Sequence, residues 1–278
     1  MVYLKHLLYM LCAASMLASC GKHEIIYYID HDGVDGKAQF QIYYMEPIAV
    51  STANAMDSIY INGKYAVGVG GYGQLAVRGV APYGSTFFTA PAGDVSFQLY
   101  RGGAVVYDMT INIPSGDKYE VYVYSLAEPP IVLNHYKDYS TSSGSTSADR
   151  FGTDSTALYR LVNLLFKDGA PYTGKLQYQY SNNTDNYTDG DWHNLGSPVS
   201  FGESTDRNPA VIHKTIQNSS GYQTLRFRCL DESGNFVSGT GDYWQGYIGR
   251  AYTHILRGNI GDNEGFAPAG YTQIGNNY

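Results

Sequence analysis

Three cysteines in 278 residues are too few for a disulfide framework. Charge is scarce too: Asp, Glu, Lys and Arg make up 15% of the chain, against roughly 25% in an average soluble domain. That scarcity excludes a coiled coil and a charged disordered tail protein. The net charge is −7, so the chain lacks the basic footprint of a nucleic-acid binder and repels phosphate at long range. No apolar run approaches the ~20 residues a membrane-spanning helix needs. No stretch carries a helical amphipathic period of useful length. What abounds is Gly (32) and Tyr (28), in a chain that is 44% hydrophobic. Those proportions supply a core and favour strands joined by turns.

The amino terminus reads as a targeting segment. Lys5 and His6 precede an almost wholly apolar run, Leu7–Leu17, which has the length of a signal-peptide core. Leu17-Ala18-Ser19-Cys20 resembles a bacterial lipobox. The resemblance implies cleavage before Cys20, diacylation of its thiol and acylation of the new amino terminus. Two or more acyl chains anchor stably where one is marginal. The alternative is an ordinary secretory signal with a chance cysteine. Losing Lys5 takes the net charge from −7 to −8. Cys229 is then the only free thiol, so no intrachain disulfide forms; it reads as a small buried hydrophobe.

The remainder reads as all-β. Ala38, Phe40, Ile42 and Tyr44 alternate with more polar neighbours, the period of a half-buried strand. Ile59 and Ile61 alternate likewise and run into Asn62-Gly63, a hairpin signal because both turn positions need φ > 0. Further strands are expected at Val95–Leu99, Val105–Ile113 and Tyr119–Tyr124. In the last, Glu120, Tyr122 and Tyr124 face away from Tyr119, Val121 and Val123. After a polar stretch the pattern resumes at Ala157–Phe166, Leu176–Tyr180, Thr224–Cys229 and Tyr252–Leu256. Gly93–Leu99 matches Gly221–Phe227 in pattern, and each precedes a hairpin and an aromatic closing strand, so the halves look like a diverged repeat.

The expected organisation is a signal peptide at 1–19, a lipidated tether at 20–36, a β-sandwich at 37–134, a polar linker at 135–155, a second sandwich at 156–262 and a flexible tail at 263–278. The sandwiches are expected to be immunoglobulin-like or transthyretin-like and to fold separately, since the linker offers few apolar contacts.

Met56–Gly63 resembles the strand and turn of domain of unknown function 4397. The Pro91-Ala92-Gly93 turn and the Tyr119 strand are similar to that family's later motifs, and Ala251–Gly258 to its closing strand. The resemblance covers roughly 37–126 well and the second half weakly. It implies an extracellular β-sandwich of the kind attached to lipoproteins of Bacteroidota, with no functional residues to carry over.

Motifs that look chemical dissolve on inspection. Gly68–Gly73 satisfies G-x-G-x-x-G, but Gly79, Pro82, Gly84 and Pro91 interrupt the helix a dinucleotide site requires. His23–Tyr27 lacks the second His of a zinc-protease helix. Asp30–Gly36 and Asn182–Asp191 gather carboxylates without Ca²⁺-loop spacing and read as solvated turns. No metal or cofactor is expected, no catalytic residue is nominated, and the chain reads as a non-enzyme.

Tyrosine is the best functional hint, because its rigid apolar face and polar tip suit sugar stacking and protein contact. Tyr122 and Tyr124 share a face. Tyr187 and Trp192 sit in an acidic loop, and Tyr243, Trp244 and Tyr247 in a Gly-rich hairpin. Trp192, Tyr187, Tyr243 and Trp244 are the candidate contact surface, with the first domain mainly a spacer. The bland alternative makes both tryptophans core anchors. The expected function is non-catalytic binding or adhesion, to glycan or to an envelope or host protein, by an outer-membrane lipoprotein held through Cys20. A fimbrillin-like structural subunit is the alternative.

Overall fold

The computed structural model describes residues 36–66, 74–83, 86–135, 156–182, 191–212, 222–247, 250–261 and 266–276. All lie in one compact unit that begins at Val34. The fold is nearly all β. In the first half the strands are β1 (Lys37–Tyr44), β2 (Ser58–Ile61), β3 (Lys64–Tyr65), β4 (Gly79–Ala81), β5 (Phe88–Pro91), β6 (Gly93–Arg101), β7 (Ala104–Ile113), β8 (Lys118–Val123) and β9 (Ile131–Asn134). Asn62 and Gly63 turn β2 into β3 with φ of 50° and 73°, the positive pair that a two-residue hairpin demands. One sheet runs β4-β1-β8-β9, with β5 also on β1; the other runs β3-β2-β6-β7. Strands β1 and β8 are parallel, the rest antiparallel.

The second half repeats this plan with β10 (Thr156–Lys167), β11 (Ala170–Pro171), β12 (Gln177–Ser181), β13 (Trp192–Asn194), β14 (Asn208–Val211), β15 (Tyr222–Leu230), β16 (Asp242–Tyr247), β17 (Ala251–Ile260) and β18 (Gly270–Asn276). Its sheets run β11-β10-β17-β18, with β14 also on β10, and β13-β12-β15-β16. As β1 pairs with β8, so β10 and β17 pair in parallel. Strands β6 and β15, which carry the matched sequence patterns, hold the same place in the two orders.

Each half packs its two sheets over a core of its own. Phe40, Ile42, Val95, Phe97, Leu99 and Val121 meet in the first. Tyr159, Leu161, Tyr178, Leu225, Phe227 and Leu256 meet in the second. The halves are not independent, however. The opposite faces of β1, β8, β10 and β17 form a third apolar cluster from Tyr43, Met45, Tyr122, Val162, Leu164 and Ile255. Tyr43 and Tyr122 stack at 4.8 Å. Tyr124, Phe166 and Phe201 close one end of this seam edge to face, and Ile48 bridges to Phe266. The result is four layers of sheet, with β1, β8, β10 and β17 buried on both faces.

At the centre of the seam lies a carboxylate. Glu120 of β8 is 1% exposed. It accepts from Arg160 of β10 at 3.0 Å and from Tyr122 at 2.8 Å, and it also pairs with His135. Arg160 reaches on to Ser204 at 2.9 Å. Burial alone raises the Glu120 carboxyl, but the Arg160 charge, the His135 contact and the Tyr122 hydroxyl outweigh it and hold the group at about 2.

Three expectations change. The boundary does not lack apolar contacts: the seam supplies them, because the halves meet through whole sheet faces rather than through the linker. Residues 136–155 lie outside the described residues. Tyr122, placed with Tyr124 on one face as part of the tyrosine hint, is buried in the seam. The tail expected at 263–278 holds a strand instead: β18 pairs along β17 from Arg257 to Ala251, and Tyr271 is buried beside Cys229.

Candidate functional site

The outer face of β13-β12-β15-β16 carries the densest display of aromatic and polar side chains among the sequence candidates. Strand alternation decides what points there. In β15, Leu225, Phe227 and Cys229 turn into the core, so Thr224, Arg226 and Arg228 turn outward. Trp192 stands opposite Ser181, and Tyr243 opposite Arg226. Both therefore share that outer face. Tyr243 is 64% exposed. The Arg228 guanidinium lies 4.1 Å from the centre of the Trp192 ring. Its Nε donates to Gln179 Oε1 at 2.9 Å, and Gln179 Nε2 donates to Asn194 Oδ1 at 2.8 Å. A cation–π contact thus fixes the indole beside an amide chain. Farther along, Arg250 covers Tyr247 at 4.4 Å and Tyr222 packs against the same ring.

Trp244 departs from the expected quartet. It packs against the second core, 5.9 Å from His254, and its buried Nε1 finds no partner among the described residues. Adjacent residues of a strand point to opposite faces, so Tyr243 and Trp244 cannot serve one surface. Tyr187 and Cys20 lie outside the described residues. So do Gly68–Gly73, His23–Tyr27 and almost all of the two acidic segments. The structure brings Trp192 and Tyr243 to one face, and adds Arg228, Gln179 and Asn194. Their signal in the sequence was the alternation of Arg226 and Arg228 with the apolar residues of β15.

The buried titratable groups are held in unreactive forms. Burial pushes the Cys229 thiol up to about 12, only partly opposed by contacts with Tyr271 and Thr240. A thiol held so far above neutrality supplies no thiolate nucleophile. His254 is pulled down to about 4 by burial. Tyr178 donates to its Nδ1 at 2.5 Å, and its Nε2 donates to Gln273 at 2.6 Å, which fits the neutral ring. Among the described residues, no group of three His, Cys, Asp or Glu side chains is placed to hold a metal ion.

No family model matches the chain, and no curated protein does. Among solved structures, the chain is similar to one described as a "putative cell adhesion protein" from Bacteroides uniformis ATCC 8492. The match has 11% identity over 86% of this chain and 98% of that one, with a TM-score of 0.22. At that score the likeness lends no weight to a function, and the all-β fold rests on the strands themselves.

Proposed function

We propose that this chain is a non-catalytic glycan-binding module of the cell envelope, working through the outer face of β13-β12-β15-β16. The observation that carries the reading is Trp192, half-buried on an outward face beneath the Arg228 guanidinium, its buried Nε1 without a partner among the described residues, and flanked by the amides of Gln179 and Asn194. An indole offers a flat apolar surface to a pyranose ring, and the exposed Asn194 amide can hydrogen-bond its hydroxyls, while buried Gln179 holds Asn194 and Arg228 in place. Tyr243 extends the surface by one strand, to β16 beside β15. The test is an array of glycans and host proteins probed with the Val34–Tyr278 unit. Glycan binding that is lost in Trp192→Ala and weakened in Tyr243→Ala, with melting unchanged, supports the reading. Binding to host protein alone overturns it.

The anchor belongs to the same proposal. Leu7–Leu17 followed by Leu17-Ala18-Ser19-Cys20 supports lipidation of Cys20 and an outer-membrane address. Cys20→Ala should leave the protein unlipidated and shed from membrane fractions. Unchanged detergent-phase partitioning of that variant sinks the assignment.

A further inference from the structure

The first half carries a counterpart of the Trp192 face. In the second half Trp192 pairs with Ser181, which pairs with Arg226 of β15. In the first half Tyr65 pairs with Tyr60, which pairs with Gln98 of β6. Strand β3 stands to β2 and β6 as β13 stands to β12 and β15. Tyr65 therefore holds the place of Trp192 in the pairing order: outward, on the edge strand.

The rings around it continue the likeness. Tyr60 lies 5.6 Å from Tyr65 and 4.9 Å from Tyr100, so three adjacent strands contribute three touching aromatic rings to one outer face. Cross-strand packing accounts for Tyr60 and Tyr100, which half bury each other. It does not account for Tyr65, which leaves 53% of its surface exposed. Beside the rings Gln98 donates to Asp108 at 3.0 Å. A groove at the edge of β3 opens between the two sheets, walled by Tyr65 and by Phe88 and Pro91 of β5; it shares only Tyr65 with the ring face.

We propose that the Tyr65–Tyr60–Tyr100 face is a second glycan-binding surface, which takes the apolar side of a neutral hexopyranose and makes the chain bivalent. This rests on the glycan reading of the Trp192 face. Neutral sugar is favoured over polyanion because Asp108 borders the rings and the whole chain carries −7. The two surfaces face opposite ways. Each belongs to an outermost layer of the four-layer stack, and three intersheet gaps of ~10 Å put them about 30 Å apart. One chain would thereby join two glycan strands.

The experiment uses the full chain in detergent, with neutral hexasaccharides of β-glucan, mannan and galactan titrated by calorimetry. Light scattering follows addition of the parent polysaccharides, with polygalacturonate as the polyanionic control. The expected result is two hexasaccharides per chain and cross-linked polysaccharide. Tyr65→Ala/Tyr100→Ala should bind one hexasaccharide and lose cross-linking, Trp192→Ala should do the same, and the combined variant should bind none. If the double tyrosine variant melts early, Tyr65→Ala alone serves. A wild-type stoichiometry of one that is abolished by Trp192→Ala and indifferent to Tyr65 overturns this inference and spares the Trp192 reading. A stoichiometry of one that depends on Tyr65 overturns bivalence and the Trp192 reading together. Binding of polygalacturonate in preference to the neutral sugars, or of no sugar at all, also overturns it.

Discussion

Replacing Glu120 by Gln tests whether the seam holds the halves together. The substitution keeps the shape and the acceptor oxygen but removes the charge that faces Arg160. A carboxyl held at about 2 rather than at its ordinary 4.5 contributes about 3 kcal/mol at neutral pH. Removing one member of a buried pair costs a similar ~3–5 kcal/mol, because the remaining charge is stranded. At 2–4 °C per kcal/mol for a chain of this size, Glu120→Gln should melt roughly 6–12 °C lower at pH 7. The sign with pH follows from a depressed carboxyl. Its stabilisation is complete above about 4.5 and is lost as pH falls toward about 2, where wild type too carries a neutral side chain. Urea midpoints taken from pH 7 downward should therefore show the gap between wild type and variant closing across that window. Equal stability at pH 7, or a gap undiminished in acid, refutes the account. Arg160→Met added to Glu120→Gln should cost less than the two single changes summed, since neither charge is then left alone.

Three further outcomes follow from the packing. Trp244→Ala should lose about 3–5 kcal/mol in denaturant melts, whereas exposed Tyr243→Ala should stay within about 0.5 kcal/mol of wild type; equal losses would return both residues to one environment. Ending the chain at Asn259 should leave β17 without its β18 partner and uncover Cys229, read as sharply lower soluble yield and rapid thiol labelling; a stable soluble product would make 270–276 dispensable. A protease site inserted within 136–155, once cut, should yield two fragments that co-elute in gel filtration because the seam holds them; separate elution would restore two independent domains.

Much of this architecture was legible in the residues. Alternation marked β1, β2, β6, β8 and β15, and Asn62-Gly63 marked its hairpin because few dipeptides accept two positive φ values. The repeat was visible in Gly93–Leu99 and Gly221–Phe227. The seam was not, because a strand buried on both faces loses its period. Leu161 to Phe166 is apolar on both sides of the strand but for Asn163, and nothing local says that Val162 and Leu164 meet another sheet. Glu120 and Tyr122 read only as the face opposite Val121, because a polar tip opposite a core residue has the same pattern whether water or Arg160 satisfies it. The last strand was hidden by its Gly- and Asn-rich surroundings, although Tyr271 is buried. Trp244 was misplaced through sequence proximity to Tyr243, where the two-residue period already separates them.

The parallel pairing of β1 with β8 and of β10 with β17 has a mechanical consequence. The strand that opens each half lies alongside its last strand but one, over six register positions in the first half and ten in the second. Tension applied from the start of one to the end of the other slides the pair lengthwise. All the ladder bonds are then strained together rather than parted one after another from an end.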